Sequence, residues 1–547
     1  MLLNPREQVS MSNAPIVPIE ANPKRWAILG VLVTSLVVVI LDSSILNVAL
    51  KTIQEALGAS QSQLIWSINS YVLVFAALLF TWGVLGDRYG RRKILVIGLI
   101  LFGIASAVSA FSTTPEMLII TRGFMGIGAA SVLPVTLAII TVVFPAHERG
   151  KAIGFWAASV GGSVALGPIV AGLLLERFWW GSVFLINVPV VIIGVIGILA
   201  LVPESKDPNP AKLDPLGVLL SIIGLMLLVY GIIHAGDTRN WSAVQSWGTI
   251  LAGLLILVLF VWLENRSDHA TLDLAIFKIK AFSVPLFAAT MTFAAMSGSL
   301  LFLAFYQQIV RGLTPLQAGL QTLPVAVGQI LAAPNAARLV AKFGFRKVVI
   351  TGLVITTSAF VMFTLLTPDT ATWQMLVIFF LLGYGLGNTI APATTQMTMS
   401  IPITRSGAGS AVQNTVRQVG AALGVAIVST IVATMYSNRM NSGLIANAIE
   451  LPKAVKTEAT DSIGGTFSVA ESLLATETIS GDIAIKLQAI AIDAYMDSFH
   501  AAVLIGAAVV LLALVIMIWQ MPVTDSTTQR QLPVKKQPDP TADSNDL

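Results

Sequence analysis

Fourteen apolar stretches follow one another between residues 26 and 520, separated mostly by short polar breaks. Most are about twenty residues long or more, and at ~1.5 Å per residue that matches the ~30 Å hydrocarbon core of a bilayer. Inside lipid no water is available to bond a backbone amide, so each stretch must satisfy its own amides as an α-helix. The expected fold class is therefore an all-α polytopic membrane protein. Composition agrees: 55% of residues are hydrophobic and 11% charged, against roughly 25% charged in an average soluble domain. The sequence has no cysteine, which excludes thiol chemistry, iron–sulfur clusters and disulfides. Its four histidines are scattered and do not make a zinc site. No paired-carboxylate motif and no Gly-x4-Gly-Lys-Ser/Thr phosphate loop occurs, which argues against an enzyme and against ATP-driven transport. No cofactor, metal or nucleic-acid partner is implied.

The basic residues set the orientation. With the amino terminus inside, 22 of the 32 Lys and Arg residues fall on the cytoplasmic side, whereas the short outer loops hold only Lys51, Arg177, Arg239 and Arg311. This bias puts both termini in the cytoplasm. The polar residues 1–25 read as a cytoplasmic tail, because the run that follows is too long for a cleavable signal.

Two loops then reveal an internal repeat. The one after the second span reads Gly83-Val-Leu-Gly-Asp87-Arg88-Tyr-Gly90-Arg91-Arg92-Lys93, and the one after the tenth ends Lys342-Phe-Gly344-Phe-Arg-Lys347. Gly126-Ile-Gly128 is echoed by Gly385-Leu-Gly387, and Arg149-Gly150 by Ser406-Gly407. The chain divides accordingly into a six-helix bundle at 26–202, a linker at 203–280 carrying inserted helices 7 and 8, a second six-helix bundle at 281–520, and a tail at 521–547. Parallel halves of this kind suit a transporter that rocks around a midplane site. Within the second half, 436–498 forms a long outer segment with a helix-compatible stretch near Ile483–Asp497. It reads either as an amphipathic lid or as a disordered spacer.

Charges inside the spans are the candidate functional residues, since they are costly in lipid and normally face a cavity or a partner. Asp42 lies eight residues before the outer end of the first span, and Arg122 seven residues after the outer start of the fourth. Their depths are therefore about 12 and 10 Å, and a shared cavity or an ion pair is expected. A fixed pair holding the bundle together is the plainer alternative. Asp87, at the cytoplasmic end of the second span, is expected to accept hydrogen bonds from a basic residue at a neighbouring helix start, with Arg149 the candidate. The fifth span carries Gly154, Gly161-Gly162-Ser163, Gly167-Pro168 and Ala171-Gly172. These residues permit close helix approach, and Pro168 removes an amide hydrogen and clashes with the carbonyl of Val164, producing a kink. Trp66, Asn69, Tyr71, Tyr306, Gln307, Gln413, Asn414 and Arg417 could line a permissive pocket, although packing is the commoner use of each.

The loop Gly83–Lys93 fills every position of the signature loop of the major facilitator superfamily, and Arg122-(x)3-Gly126-(x)-Gly128 is similar to its fourth-helix element. The fifth span resembles its antiporter element, with Ser163 and Ala171 in place of glycine. Leu41-Asp42-Ser43-Ser44-Ile45-Leu46-Asn47-Val48-Ala49-Leu50 resembles the first-helix element of the fourteen-helix drug:proton antiporters of the EmrB/QacA type. Leu213-Asp214-Pro215, Phe184-Leu-Ile-Asn187-Val-Pro189 and Asn414-(x)2-Arg417-Gln418-(x)-Gly420 extend the likeness over residues 26–435 and the last helix. The resemblance implies the major facilitator fold in a bacterial inner membrane, with small lipophilic substrates, protons and the lipid bilayer as partners and the chain working as a monomer. It also implies proton-driven export, with Asp42 and Arg122 in proton coupling and with Gly83, Asp87, Arg88, Gly90, Arg91, Arg92 and Arg149 in a cytoplasmic gate. Gly154, Gly167, Pro168 and Gly172 would form the antiporter helix. The second half lacks acids in its spans, which favours monovalent cations, zwitterions or neutral amphiphiles over dications. An exporter of an endogenous lipid or metabolite, and a non-transporting sensor, remain as alternatives.

Overall fold

The computed structural model describes residues 22–59, 61–207, 215–266, 274–401, 406–447, 449, 451–476 and 480–521. Most of the two tails, the pair Leu213-Asp214 and the side chains of Asn47 and Lys51 lie outside the described residues. Among those described, fourteen helices are long and apolar enough to cross a membrane. In chain order they are α1 (Arg25–Leu57), α2 (Gln61–Tyr89), α3 (Arg91–Ala110), α4 (Pro115–Val143), α5 (Ala146–Leu175), α6 (Ser182–Leu201), α7 (Pro215–Thr238) and α8 (Val244–Arg266). The second half adds α9 (Lys280–Phe305), which continues as one π-helical turn over Tyr306–Val310, then α10 (Pro315–Phe343), α11 (Phe345–Phe363), α12 (Thr372–Met399) and α13 (Ser406–Ala446). Two short outer helices, α14 (Lys453–Asp461) and α15 (Ile463–Ala475), precede the last span, α16 (Gly481–Gln520).

The helix ends follow local chemistry. Thr114 caps α4 by accepting the Met117 amide at 3.2 Å, and Thr314 and Gln317 form a reciprocal capping box at the start of α10. The repeat is visible in the backbone itself. Gly90 and Gly344 occupy the same place before α3 and α11, and both have positive φ, +112° and +85°, a region that suits glycine. The α3–α4 crossing is repeated too. A Cβ on Gly98 would lie 2.9 Å from the Gly128 carbonyl oxygen, and one on Gly352 would lie 3.0 Å from that of Gly385.

Each half buries its own apolar core, one around Leu36, Leu99, Phe102 and Met125, the other around Leu353, Phe360, Phe379 and Phe499. The halves meet along two seams. In one, α5 runs antiparallel to α10, so that a Cβ on Gly154 would lie 2.5 Å from the Ala333 carbonyl oxygen, while Gly172 faces Leu316. In the other, the C-terminal part of α2 meets the start of α13, and Phe80 and Val84 join Ala408, Ala411 and Val412 in one apolar cluster. The inserted pair docks on the α2–α13 side. Trp66 stacks on Tyr230 of α7 at 5.9 Å between ring centres, and Trp241 Nε1 donates to Thr430 Oγ1 of α13 at 3.0 Å.

The outer segment is largely helical. The expected stretch at Ile483–Asp497 is the first part of α16, and α13 and α16, each about 60 Å long, outreach the bilayer. Tyr436 on α13 pairs its hydroxyl with Thr466 on α15 at 2.5 Å, and Arg239 in the α7–α8 connection holds Asp461 at 2.8 Å.

Candidate functional site

The matched depths of Asp42 and Arg122 resolve into direct contact. Arg122 Nη1 donates to Asp42 Oδ2 at 2.5 Å, and each side chain is 1% exposed. The cluster around them is built from five helices of the first half. Asn187 of α6 donates from Nδ2 to Asp42 Oδ1 at 2.9 Å and to Ser106 Oγ of α3 at 3.0 Å. Ser106 in turn donates to the Phe184 carbonyl oxygen at 2.8 Å. Arg122 Nε reaches the Ser67 carbonyl oxygen at 3.3 Å, and its guanidinium lies over the Tyr71 ring at 4.4 Å. Tyr71 donates its hydroxyl to the Val39 carbonyl oxygen at 3.3 Å. The carboxylate therefore has one charged and one amide donor, and both members of the pair are sealed from solvent.

Sequence reasoning missed Asn187, which it quoted only within a resemblance. The available signal was an amide side chain two residues before a proline near the start of an apolar span.

Two residues beyond Asp42 on the same helix, a second contact joins two of the sequence elements. Pro168 has no amide hydrogen, so the Val164 carbonyl of α5 lacks its usual helical partner. Ser44 Oγ donates to that oxygen at 2.8 Å. Gly167 makes room for the approach, since a Cβ there would fall 2.3 Å from Ser44 Oγ. The glycine–proline step of α5 is thus a docking place for α1.

Where α2 meets α3 and α13, Gly83, Asp87 and Arg91 come together, with one correction. Asp87 does not bond Arg149. Its Oδ1 accepts from Arg91 Nε at 2.9 Å and Nη2 at 2.6 Å, the first residue of α3 just past the Gly90 turn. Both oxygens also cap the start of α13, accepting the amides of Gly407 at 3.0 Å and Ala408 at 2.9 Å. Free amides and the positive end of a helix dipole attract a carboxylate, and they reach Asp87 because Gly83 and Gly407 let α2 and α13 touch: a Cβ on Gly83 would lie 2.6 Å from the Gly407 carbonyl oxygen. Arg149 instead donates from Nε to the Phe144 carbonyl oxygen at 3.0 Å, closing the turn into α5. Glu204 plays the corresponding part for α3, accepting the amides of Arg92 at 3.0 Å and Lys93 at 3.2 Å beside Gly90. Arg88 lies over the Tyr89 ring at 5.6 Å.

The eight candidate pocket residues do not form one group. Tyr71 belongs to the ion-pair cluster and Trp66 to the contact with α7, while Asn69 is half-buried on α2. Tyr306 is packed inside the second half, stacked on Phe499 at 5.4 Å with its hydroxyl on the Thr367 carbonyl oxygen at 2.7 Å. Gln307 is buried with Nε2 unpartnered. Gln413, Asn414 and Arg417 share one stretch of α13, where Arg417 Nη2 donates to Asn414 Oδ1 at 2.5 Å.

Known proteins share both the sequence and the architecture. Residues 32–425 match the family model of the Major Facilitator Superfamily. The multidrug efflux pump LfrA of Mycolicibacterium smegmatis is 34% identical over 455 residues, 82% of this chain and 88% of LfrA. The methyl viologen resistance protein SmvA of Salmonella typhimurium is 34% identical over 505 residues, 91% of this chain and 98% of SmvA. A solved bacterial homologue of the human lysosomal transporter Spinster superposes with a TM-score of 0.55 at 18% identity, covering 91% of this chain and 98% of that one. At that identity the likeness concerns the fold alone. The chain belongs to the major facilitator superfamily, and with it to membrane transporters rather than enzymes.

Proposed function

We propose that this protein exports lipophilic small molecules in exchange for protons, with Asp42 as the proton-binding group. The observation that carries this reading is the sealed Asp42–Arg122 pair, with Asn187 on the second carboxylate oxygen. A proton on Asp42 would cancel its charge and leave Arg122 buried without a counter-charge, a situation that costs several kcal/mol in a protein interior. Protonation therefore forces α1 and α4 to part, or to rearrange toward water. Ser44 passes movement of α1 to the glycine–proline step of α5, which forms one inter-bundle seam. Asp87, capping α13 at the other seam, holds the cytoplasmic side closed until that movement pulls it away.

The substrates are read as monovalent cations, zwitterions or neutral amphiphiles, because α9 to α13 contain no Asp or Glu. SmvA is named for resistance to methyl viologen, a dication; here the second half supplies no acids within those helices to match two charges. The protein is placed in the cytoplasmic membrane as a monomer, with both termini inside.

One experiment tests the coupling. In proteoliposomes with an acidic lumen, the wild-type chain should accumulate ethidium while the lumen turns alkaline. Asp42→Asn should lose that accumulation yet still bind ethidium, and full proton-coupled accumulation by this variant would sink the reading. Imposed potassium–valinomycin potentials sort the stoichiometry. One proton exchanged for one monovalent cation moves no net charge, whereas exchange for a neutral compound gains about 2.3 kcal/mol per 100 mV.

A further inference from the structure

The second arginine of the membrane interior has no carboxylate. Arg417 lies eleven residues into α13, about 16 Å from its cytoplasmic start and so near the midplane. Its guanidinium stacks over the Phe293 ring of α9 at 4.4 Å and bonds Asn414 Oδ1. Among the described residues no ion pair reaches it, and it uses one of the five N–H donors that a guanidinium carries. The side chain is half-buried, not sealed. One turn earlier on the same face of α13, Gln413 is 4% exposed and its Nε2 has no hydrogen-bond partner. A further turn back, Ser410 Oγ is also buried without a partner.

A midplane cation normally has a counter-charge, and buried amide donors are normally bonded. Here a positive charge and two unsatisfied polar groups stand in line on one helix, and the acids that meet α13 lie elsewhere along it, Asp87 on the Gly407 and Ala408 amides and Asp497 on Arg439. The missing partner is therefore negative, and it accepts hydrogen bonds.

We propose that Arg417, with Gln413 beside it, receives an oxyanion: the carboxylate, sulfonate or phosphate group of an amphiphile, with Phe293 against its apolar part. On the exporter reading above, on which this inference rests, the site gives the protein acidic or zwitterionic substrates. A lipid phosphate shares the chemistry, and the test separates the two sources.

The full chain in nanodiscs is titrated with dansylglycine and with its neutral amide. In phosphatidylcholine discs the wild-type protein should bind the acid about 10-fold more tightly than the amide, equivalent to about 1.4 kcal/mol. Arg417→Gln should abolish that preference by weakening the acid alone. Arg417→Lys should retain part of it, and Gln413→Ala should weaken the acid a few-fold, with both variants running as single species in size exclusion. Equal binding of acid and amide by the wild type would overturn the site. Loss of the acid preference in phosphatidylglycerol discs, with Arg417→Gln blind to that lipid, would assign the site to a headgroup and overturn the substrate. Ethidium accumulation in acidic-lumen proteoliposomes separates the two readings. Accumulation without acid preference overturns the oxyanion site alone, and acid preference without accumulation overturns proton-driven export alone.

Discussion

Arg122 and Arg417 are both arginines inside the membrane, each with an aromatic ring 4.4 Å from its guanidinium carbon. Their surroundings differ in partner and in exposure. Arg122 has a carboxylate, a carbonyl and no exposure, whereas Arg417 has an amide oxygen and partial exposure. A charge compensated inside the protein can store the consequence of a proton, because neutralising one partner strands the other. A charge left open has nothing internal to lose, and its unused donors are available to whatever enters. On the reading proposed above, the first half serves coupling and the second contact with cargo.

Stability breaks the comparison most sharply. Arg122→Gln strands Asp42, and removing one partner of a buried pair costs roughly 3–5 kcal/mol. It should lower the thermal transition strongly or prevent folding in detergent. Asp42→Asn/Arg122→Gln should be less damaging than the sum of its single variants, since the two side chains share one interaction. Arg417→Gln removes a charge without a counter-charge and should shift stability by about 1 kcal/mol or less, in either direction, as for an unpaired surface change. Equal losses for Arg122→Gln and Arg417→Gln would erase the distinction.

Asn187→Ala comes next. It takes from Asp42 a hydrogen bond to a charged group, about 1.5–3 kcal/mol, and removes an anchor between α6 and α1. Proton-driven accumulation should fall by more than ethidium binding does, measured in the same proteoliposomes. Unchanged transport would reduce Asn187 to packing. Asp87→Asn acts at the other end of the molecule. Without its charge, the cap on the amides of Gly407 and Ala408 weakens by about 1–2 kcal/mol, which moves a two-state population about 10-fold. Because the native chain lacks cysteine, spin labels at Tyr89→Cys and Phe343→Cys, both exposed and at the ends of α2 and α10, report the opening directly. A distance distribution unmoved by Asp87→Asn would show that the cap does not hold the gate.

How much of this could be read from the sequence depended on whether the signal was carried along the chain or across it. The fourteen spans, the paired depths of Asp42 and Arg122, and the repeat of Gly90 in Gly344 follow from hydropathy, helical rise and backbone demands local to each segment. The partners of Asp87 do so only in part: a basic residue at a neighbouring helix start is expected, with Arg149 the candidate, and the one that bonds it is Arg91 at the start of α3. The other partners are backbone amides 320 and 321 positions away, and a backbone amide leaves no mark in a sequence. Asn187 was obscured for a related reason. A single amide in an apolar span reads as packing until the fold brings it to a carboxylate. Tyr306 takes the commoner of the two uses weighed for it, an aromatic with a polar tip whose hydroxyl meets a carbonyl inside its own bundle.

The smallest effect concerns the joint between those two kinds of information. Ser44 was legible as one letter of a first-helix element and Pro168 as one letter of a fifth-helix element, and their contact explains why both are polar-backbone devices. Ser44→Ala removes one neutral hydrogen bond, about 1 kcal/mol, and returns the Val164 carbonyl to its unpartnered condition. Since Ser44 is only half-buried, water can compensate part of the loss, so stability should barely move. Transport is where the change should register. If α1 passes its displacement to α5 through this bond, Ser44→Ala should slow proton-driven accumulation a few-fold while leaving ethidium binding intact. Ser44→Thr, which keeps the hydroxyl, should preserve the rate. Equal rates for the alanine and threonine variants would mean that the two helices move together through packing alone, with the glycine–proline step serving only to let them close.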